Sequence, residues 1–179
     1  MQANKGVYRT MRSAKKTKSA KKMGNDAEKH FVSVAKSKGY EVSKSSKKQD
    51  MVDHFDYLLK NKKGLTKTFE VKALKKVNRT DDSTNNEWIW IEIKNVRGEK
   101  GWIKGKADFV SFEQEFSFLT VKREDLLELC RTLIDTKKTV GTANEAEYCL
   151  YSRRGRKDII SRIKVQDIKD GIKHWIWDK

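Results

Sequence analysis

Alternating apolar and polar residues mark the clearest β-strand of the chain, at residues 87–94. Successive side chains of a strand point to opposite faces, so every second residue shares a face. One predicted face is built of isoleucines, and the other carries Trp88, Trp90, Glu92 and Lys94. Shorter patterns of the same kind predict further strands at residues 40–42, 54–60, 66–74, 108–112, 116–121 and 148–151.

Helical spacing of apolar residues predicts two helices. The first begins near Asn25 and ends at Ser37 or Lys38, and Gly39 follows in a position that favours glycine. Its apolar stripe consists of Ala27, Phe31, Val34 and Ala35. The second helix covers residues 123–134 and is amphipathic, with its leucines and Cys130 toward the core.

The order of these elements predicts a mixed α/β (α+β) fold with one central mixed β-sheet flanked by helices. Residues 1–24 cannot bury enough apolar surface to offset the entropy of ordering, so we predict a disordered basic N-terminal arm. Residues 25–145 are predicted to form the core domain, and residues 146–179 a small basic C-terminal extension packed on it. A length of 179 residues suits one domain with such appendages.

Positive charge dominates the chain and is concentrated at its start. The sequence has 41 Lys and Arg against 25 Asp and Glu, a formal net charge of +16, and residues 1–24 hold eight of the basic residues and no acidic one. A basic arm in front of a basic domain is typical of a protein that binds a polyanion, with nucleic acid as the leading partner. An anionic membrane surface fits less well, because the arm lacks large apolar residues. A lysine-rich tail that only aids solubility is the alternative interpretation.

Other features of the sequence argue against a membrane or secreted protein. No apolar run approaches the ~18 residues of a membrane span, and the first 25 residues lack the apolar segment of a secretory signal. The two isolated cysteines, Cys130 and Cys149, are predicted to be reduced, buried thiols. The sequence therefore predicts a cytoplasmic location, including the nucleoid or the cytoplasm of a host cell.

Two carboxylates come together if the strands on either side of residues 61–65 form a hairpin. In that register Asp56 faces Glu70, and Lys72 lies on the same face. Carboxylates directly opposite each other repel, at a cost of roughly 0.2–1 kcal/mol. A Mg²⁺ ion held by one or two carboxylates, phosphate oxygens and water would remove that repulsion. The pattern therefore predicts a divalent-metal site.

These residues resemble the PD-(D/E)XK, or restriction-endonuclease-like, nuclease superfamily. The likeness rests on a helix, a strand with Asp56, and a strand with Glu70-Val71-Lys72, and no proline precedes the aspartate. The segment Glu87–Phe112 extends it, with Trp-x-Trp-Ile-Glu, Gly-x-x-Gly-Trp and Ala-Asp-Phe. Phage-type and Holliday-junction-resolvase-like members are closest in pattern, over roughly residues 25–135.

The resemblance implies a Mg²⁺-dependent endonuclease that hydrolyses phosphodiester bonds of DNA. Asp56, Glu70 and the backbone carbonyl of Val71 would hold Mg²⁺, for which Mn²⁺ can substitute, and Lys72 would orient the attacking water. Glu28, in the first helix, matches an acidic residue of many members and is a further catalytic candidate. Glu92 is a candidate for the metal shell. Junction resolvases act as symmetric dimers, so a homodimer is also implied.

Each of these residues has a structural interpretation as well. Glu28 stands three positions after Asn25 and could complete a capping box at the helix start. Glu70 and Lys72 could lie on the exposed face of an edge strand, and Glu92 could be a solvated strand residue. Asp53 and Asp50 are alternative metal ligands to Asp56.

Residues outside the metal site are candidates for contact with nucleic acid. Trp102, like the two tryptophans of residues 87–94, is either a core aromatic or a platform for bases. The remaining candidates are basic: Lys15, Lys16, Lys21, Lys22, Lys75, Lys76, Arg79, Arg153, Arg154 and Arg156. RNA stays open as a partner beside DNA. The alternative functions are a non-catalytic nucleic-acid binder on the same fold and an adaptor whose basic arm binds an acidic partner.

Overall fold

The computed structural model describes the backbone of residues 5–78, 81 and 83–179, and the side chains of this range from Lys21 onward. Its helices are α1 (Lys5–Ser37), α2 (Arg123–Leu133) and α3 (Val165–Gly171). Its strands are β1 (Glu41–Lys44), β2 (Tyr57–Lys60), β3 (Thr66–Lys72), β4 (Trp88–Lys94), β5 (Phe109–Glu113), β6 (Ser117–Lys122), β7 (Asp135–Val140), β8 (Cys149–Tyr151), β9 (Ile159–Lys164) and β10 (His174–Asp178). A π-type turn lies at Gln49–Asp53 and a 3₁₀ turn at Trp102–Lys104.

The prediction of a mixed α and β fold is confirmed, and the strands form two mixed sheets where one was expected. The six-stranded sheet has the order β1-β2-β3-β5-β6-β10, and the four-stranded sheet has the order β4-β9-β8-β7. Strand β3 pairs parallel to β5, whereas β4 pairs antiparallel to β9. The isoleucine face of β4 packs into a core shared with β5 and β6, so β4 covers the first sheet and does not extend it.

The six-stranded sheet is covered on both faces, each by its own apolar cluster. Helix α1 covers one face, where the fully buried Phe31 packs against Tyr57 and Phe69. The second sheet and α2 cover the other face through residues such as Ile91 and Leu126. Burying one such side chain contributes about 1.5–3 kcal/mol. Side chains of β3 that alternate with Phe69 therefore point into the space between the two sheets.

The C-terminal segment contributes strands to both sheets. Strand β9 pairs with β4 and β10 pairs with β6, so residues 146–179 are integral to the core where an extension packed upon it was predicted. The physical reason is a two-residue apolar period that buries Ile163 in one cluster and Trp177 in the other.

Helix α1 begins at Lys5, well before the start predicted near Asn25. The added residues include six lysines and two alanines, which favour helix, and the chain has no proline. The predicted end is confirmed, because Gly39 follows the helix with a φ of +84°. The disorder predicted for residues 1–24 stays a prediction for residues 1–4, which lie outside the described part, whereas the backbone of residues 5–24 is helical.

Gly101 allows the 3₁₀ turn to pack on the backbone of β4. A Cβ atom on Gly101 would lie 2.1 Å from the carbonyl oxygen of Glu92, too close for any side chain. We expect Gly101→Ala to lower the free energy of unfolding by about 3 kcal/mol, because backbone must move to relieve the overlap. Urea unfolding of the wild type and the variant measures this loss of stability. Gly141→Ala is the control, since a Cβ there meets no described atom within 4 Å, and equal stability of the two variants would contradict the prediction.

Candidate functional site

The hairpin of β2 and β3 has the predicted register as far as its last paired residues. Tyr57 pairs with Phe69 in the last rung of the ladder, so the next position brings Asp56 toward Glu70. The backbone N–H of Asp56 donates to the carbonyl oxygen of Phe69 at 2.8 Å. Its side chain turns along β3, where Oδ2 accepts a hydrogen bond from the N–H of Val71 at 2.7 Å. This bond holds the Asp56 carboxylate over the strand that carries Glu70 and Lys72.

Glu70 is a buried carboxylate with one free oxygen. The residue is only 5% exposed, and its Oε1 accepts a hydrogen bond from the ammonium group of Lys72. Its Oε2 is buried and has no hydrogen-bond partner among the described residues. The interpretation of Glu70 and Lys72 as an exposed edge-strand face is wrong, because β3 lies between β2 and β5. A buried, unpartnered carboxylate oxygen is costly unless something binds it.

The Lys72 ammonium is held between the carboxylates and an aromatic ring. Its Nζ lies 5.4 Å from the ring centroid of Trp102, whose side chain is buried in the shared core. Burial lowers the pKa of Lys72, but the negative charges of Glu70 and Asp56 outweigh it, and the net pKa is raised. Lys72 therefore stays positively charged in this pocket.

Asp56 has a strongly perturbed acidity. Burial, followed by the negative charge of Glu70, raises its pKa from 3.8 to about 7, although Lys72 and the Val71 N–H act in the opposite direction. An acid whose pKa is raised by a neighbouring carboxylate is typical of a site that gains from a bound cation.

The donor set fits a magnesium-type ion with few protein ligands. In the described residues, no group of three or more His, Cys, Asp and Glu side chains is arranged to hold a metal. Asp56 and Glu70 nevertheless supply two carboxylates, and the unpartnered Oε2 of Glu70 is an open ligand position. Mg²⁺ commonly binds one or two carboxylates and completes its shell with water and phosphate oxygens. The role of the Val71 carbonyl stays a prediction.

Glu28 lies close to this site but is engaged elsewhere. Its Oε2 accepts hydrogen bonds from the hydroxyl of Tyr57 and the ammonium of Lys44, both at 3.0 Å. The capping-box interpretation is wrong, because Asn25 lies inside helix α1. The charge of Glu28 contributes to the raised pKa of Asp56, after burial and Glu70, which places it within electrostatic reach.

The other acidic candidates occupy different environments. Glu92 belongs to β4, which is not the strand beside β3, yet its negative charge also raises the pKa of Lys72 across the gap between the sheets. Asp53 forms an ion pair with Lys106 at 2.8 Å. Asp50 is exposed on the π-type turn. Asp56 is therefore the aspartate that the structure brings to Glu70.

The predicted nucleic-acid contacts divide into four groups. Trp102 is 4% exposed, so it packs in the core and has no free face for a base. Two basic candidates are engaged: Lys76 donates to the carbonyl oxygen of Asp81, and Arg153 pairs with the buried Asp158. Five basic candidates are exposed to solvent: Lys21, Lys22, Lys75, Arg154 and Arg156. The side chains of Lys15, Lys16 and Arg79 lie outside the described part.

Sequence reasoning missed Arg162, which belongs to β9. Its guanidinium carbon lies 4.4 Å from the ring centroid of Trp88 and 6.0 Å from that of Trp90. The available signal was the short run Arg162-Ile163-Lys164, in which an apolar residue stands between two basic ones. The pairing of β9 with β4, which brings Arg162 opposite Trp90, is set by the tertiary fold.

Comparison with protein-family models, with curated proteins and with solved structures found no match to this chain. In the described part of the chain, no helix is both long and apolar enough to cross a membrane.

Proposed function

We propose that this protein is a divalent-metal-dependent endonuclease that hydrolyses phosphodiester bonds of DNA. The observation that carries the proposal is the buried Glu70 carboxylate, which lies beside Asp56 and Lys72 with one oxygen unpartnered. Such a negatively charged pocket is unusual in a chain with a net charge of +16. A polyanionic substrate and a bound cation together account for both features.

The roles of the side chains follow from their contacts. Asp56, oriented by the Val71 N–H, and Glu70, through its open Oε2, would hold Mg²⁺ or Mn²⁺. Such an ion neutralises charge on a phosphate and makes its bound water more acidic. The Lys72 ammonium stays charged at neutral pH, so it can donate hydrogen bonds to that water or to a phosphate oxygen. Glu92, whose charge acts on Lys72, is a further candidate for the metal shell. The homodimer implied by the resemblance also belongs to this proposal.

A non-catalytic nucleic-acid binder is the second candidate. The observation that favours it is the ion pair between Lys72 and Glu70, which occupies one carboxylate oxygen. If the pair persists in the presence of substrate, the site keeps its charge without hydrolysing a phosphodiester bond.

Incubation of supercoiled plasmid, linear duplex, branched DNA and RNA with the full chain distinguishes these functions. We expect strand cleavage of DNA in Mg²⁺ or Mn²⁺, none in EDTA, and loss of cleavage in Glu70→Gln, because the amide is a poorer metal ligand. Glu41→Gln is the control, since Glu41 pairs with Lys60 on the surface of the same sheet. Cleavage by Glu70→Gln at the wild-type rate would contradict the proposal. Tight DNA binding without metal-dependent cleavage would establish the second candidate.

A further inference from the structure

A cleft runs from the Lys72 side chain to the aromatic side of the second sheet. Its lining includes Lys72, Lys75, Trp88 and Trp90, together with the carboxylate-bearing Glu113. The cleft is shallow, since its cavity volume is only about 30 Å³ and its mouth is open to solvent. A ligand as large as a nucleotide would therefore lie along the open mouth of the cleft and not inside it. Strand β4, which carries both tryptophans, is the edge strand of its sheet, so the cleft follows that edge.

The two tryptophans contact charged side chains and a backbone carbonyl. Arg162 lies opposite Trp90 in the β4–β9 ladder, and its guanidinium carbon is 4.4 Å from the Trp88 ring centroid. Lys164, opposite Trp88, places its Nζ 5.4 Å from the same ring. The N–H of the Trp90 indole donates to the carbonyl oxygen of Lys76 at 3.3 Å. Both residues are partly exposed, so a base could stack on a ring face that these neighbours leave open.

Lys72 and Lys75 bring positive charge to the cleft, and Arg162 lies behind its tryptophans. Part of the Lys75 side chain reaches solvent. Desolvation of its ammonium, with the positive charges of Lys72 and Arg153, lowers its pKa to about 8, although Glu92 offsets part of this effect. Arg162 is 6% exposed, and its Nε has no hydrogen-bond partner in the part of the chain that the structure describes. A phosphate group near these cations would relieve their mutual repulsion.

We propose that this cleft binds an unpaired nucleotide of the DNA strand next to the scissile phosphate. Its base stacks on Trp88 or Trp90, and its phosphate contacts Lys75. A base that stacks on one of these tryptophans is not paired with its Watson–Crick partner. The cleft therefore selects DNA that already has unpaired nucleotides, such as a flap, a tail or a branch point. This inference deepens the proposed function, on which the choice of DNA rests.

Binding in EDTA tests the cleft without depending on hydrolysis. The probes are a dye-labelled duplex with flush ends and the same duplex with a single-stranded oligothymidine tail, measured by fluorescence anisotropy with the full chain. The wild type is expected to bind the tailed duplex more tightly. Trp88→Ala combined with Trp90→Ala is expected to lose about 5- to 100-fold in affinity for the tailed duplex, with affinity for the flush duplex unchanged. Trp175→Ala, on a strand of the other sheet, is the control.

A second pair of variants keeps the test valid if loss of both tryptophans prevents folding. Lys75 and Lys169 are both exposed, so neither Lys75→Ala nor Lys169→Ala should alter the fold. Lys75→Ala is expected to weaken binding of the tailed duplex and to reduce the slope of log affinity against log salt by about 0.7–1. Lys169→Ala is expected to leave that slope unchanged.

The possible outcomes separate this inference from the proposed nuclease activity. Equal affinity of the wild type for flush and tailed duplexes overturns the cleft proposal, as does an unchanged salt slope in Lys75→Ala. Preference for the tailed duplex without cleavage in Mg²⁺ supports the cleft and rejects the nuclease. Cleavage of the flush duplex without a preference for the tailed duplex supports the nuclease and rejects the cleft.

Discussion

Replacing Lys72 by methionine is expected to lower the free energy of unfolding by about 3–5 kcal/mol in metal-free buffer near pH 8. The variant removes the partner of a carboxylate that is 5% exposed, so a negative charge stays buried without compensation. It also removes the positive charge that opposes the raised pKa of Asp56. Methionine fills a similar volume, so the loss reports charge and not packing.

Adding Glu70→Gln to Lys72→Met is expected to restore most of this stability. The double variant removes both charges, and replacing a buried ion pair by neutral residues is often nearly neutral. Urea unfolding of the wild type, the two single variants and the double variant gives the coupling energy directly. Lys138→Met is the control, because Lys138 is exposed on β7. A loss below about 1 kcal/mol in Lys72→Met, as for a surface pair, would contradict the buried arrangement.

The same variant has a separate expected effect on hydrolysis. If Lys72 stabilises charge that develops at the phosphate, its removal should lower kcat by about 10²–10³-fold, the usual cost of losing one such donor. Because Lys72→Met is destabilised, the rate is measured at a temperature where circular dichroism shows it folded. An unchanged kcat would remove Lys72 from the mechanism while leaving its structural role intact.

The stability of the metal-free protein is expected to fall as the pH rises from about 4 to about 7, through the ionisation of Asp56. The pKa of this carboxyl is 3.8 in the unfolded reference and about 7 in the folded protein, raised by burial and by Glu70. Between these values the folded state binds the extra proton, so raising the pH favours unfolding. A difference of about three pKa units corresponds to about 4 kcal/mol. This destabilisation is complete above pH 7 and absent below pH 4.

Asp56→Asn isolates this contribution because asparagine cannot ionise. Its Oδ1 can still accept the hydrogen bond from the Val71 N–H, so the local structure is kept. We expect the variant to be more stable than the wild type at pH 8 in EDTA and to match it near pH 4. Millimolar Mg²⁺ should stabilise the wild type at pH 8, by mass action on the ionised carboxylates, and have less effect on the variant.

Urea unfolding from pH 4 to pH 8, with and without Mg²⁺, measures both effects. The control is Asp50→Asn, since Asp50 is exposed on the π-type turn. Parallel pH profiles of the wild type and Asp56→Asn would show that Asp56 ionises normally, and the electrostatic argument for a cation at this site would fail.

The hairpin shows how much of the site the sequence predicts. Loop length and alternation were sufficient for the register that brings Asp56 to Glu70, because both are local properties of residues 54–74. The same reasoning did not decide whether Glu28 forms a capping box, since the true start of helix α1 depends on residues that carry no apolar stripe. It also did not decide whether Trp102 belongs to the core, because a lone tryptophan in a turn is not part of a repeating apolar pattern.

The sequence by itself determined the mixed α and β class, the hairpin, the shared face of Glu70 and Lys72, and the excess of positive charge. Each depends on neighbours along the chain or on composition. Only the tertiary structure decided that β5 and not β4 lies beside β3, that Glu70 is buried with one unpartnered oxygen, and that Arg162 lies against Trp88. These depend on which apolar faces pack together over long separations, and the preference of a strand for its partner comes from that packing and not from its own residues.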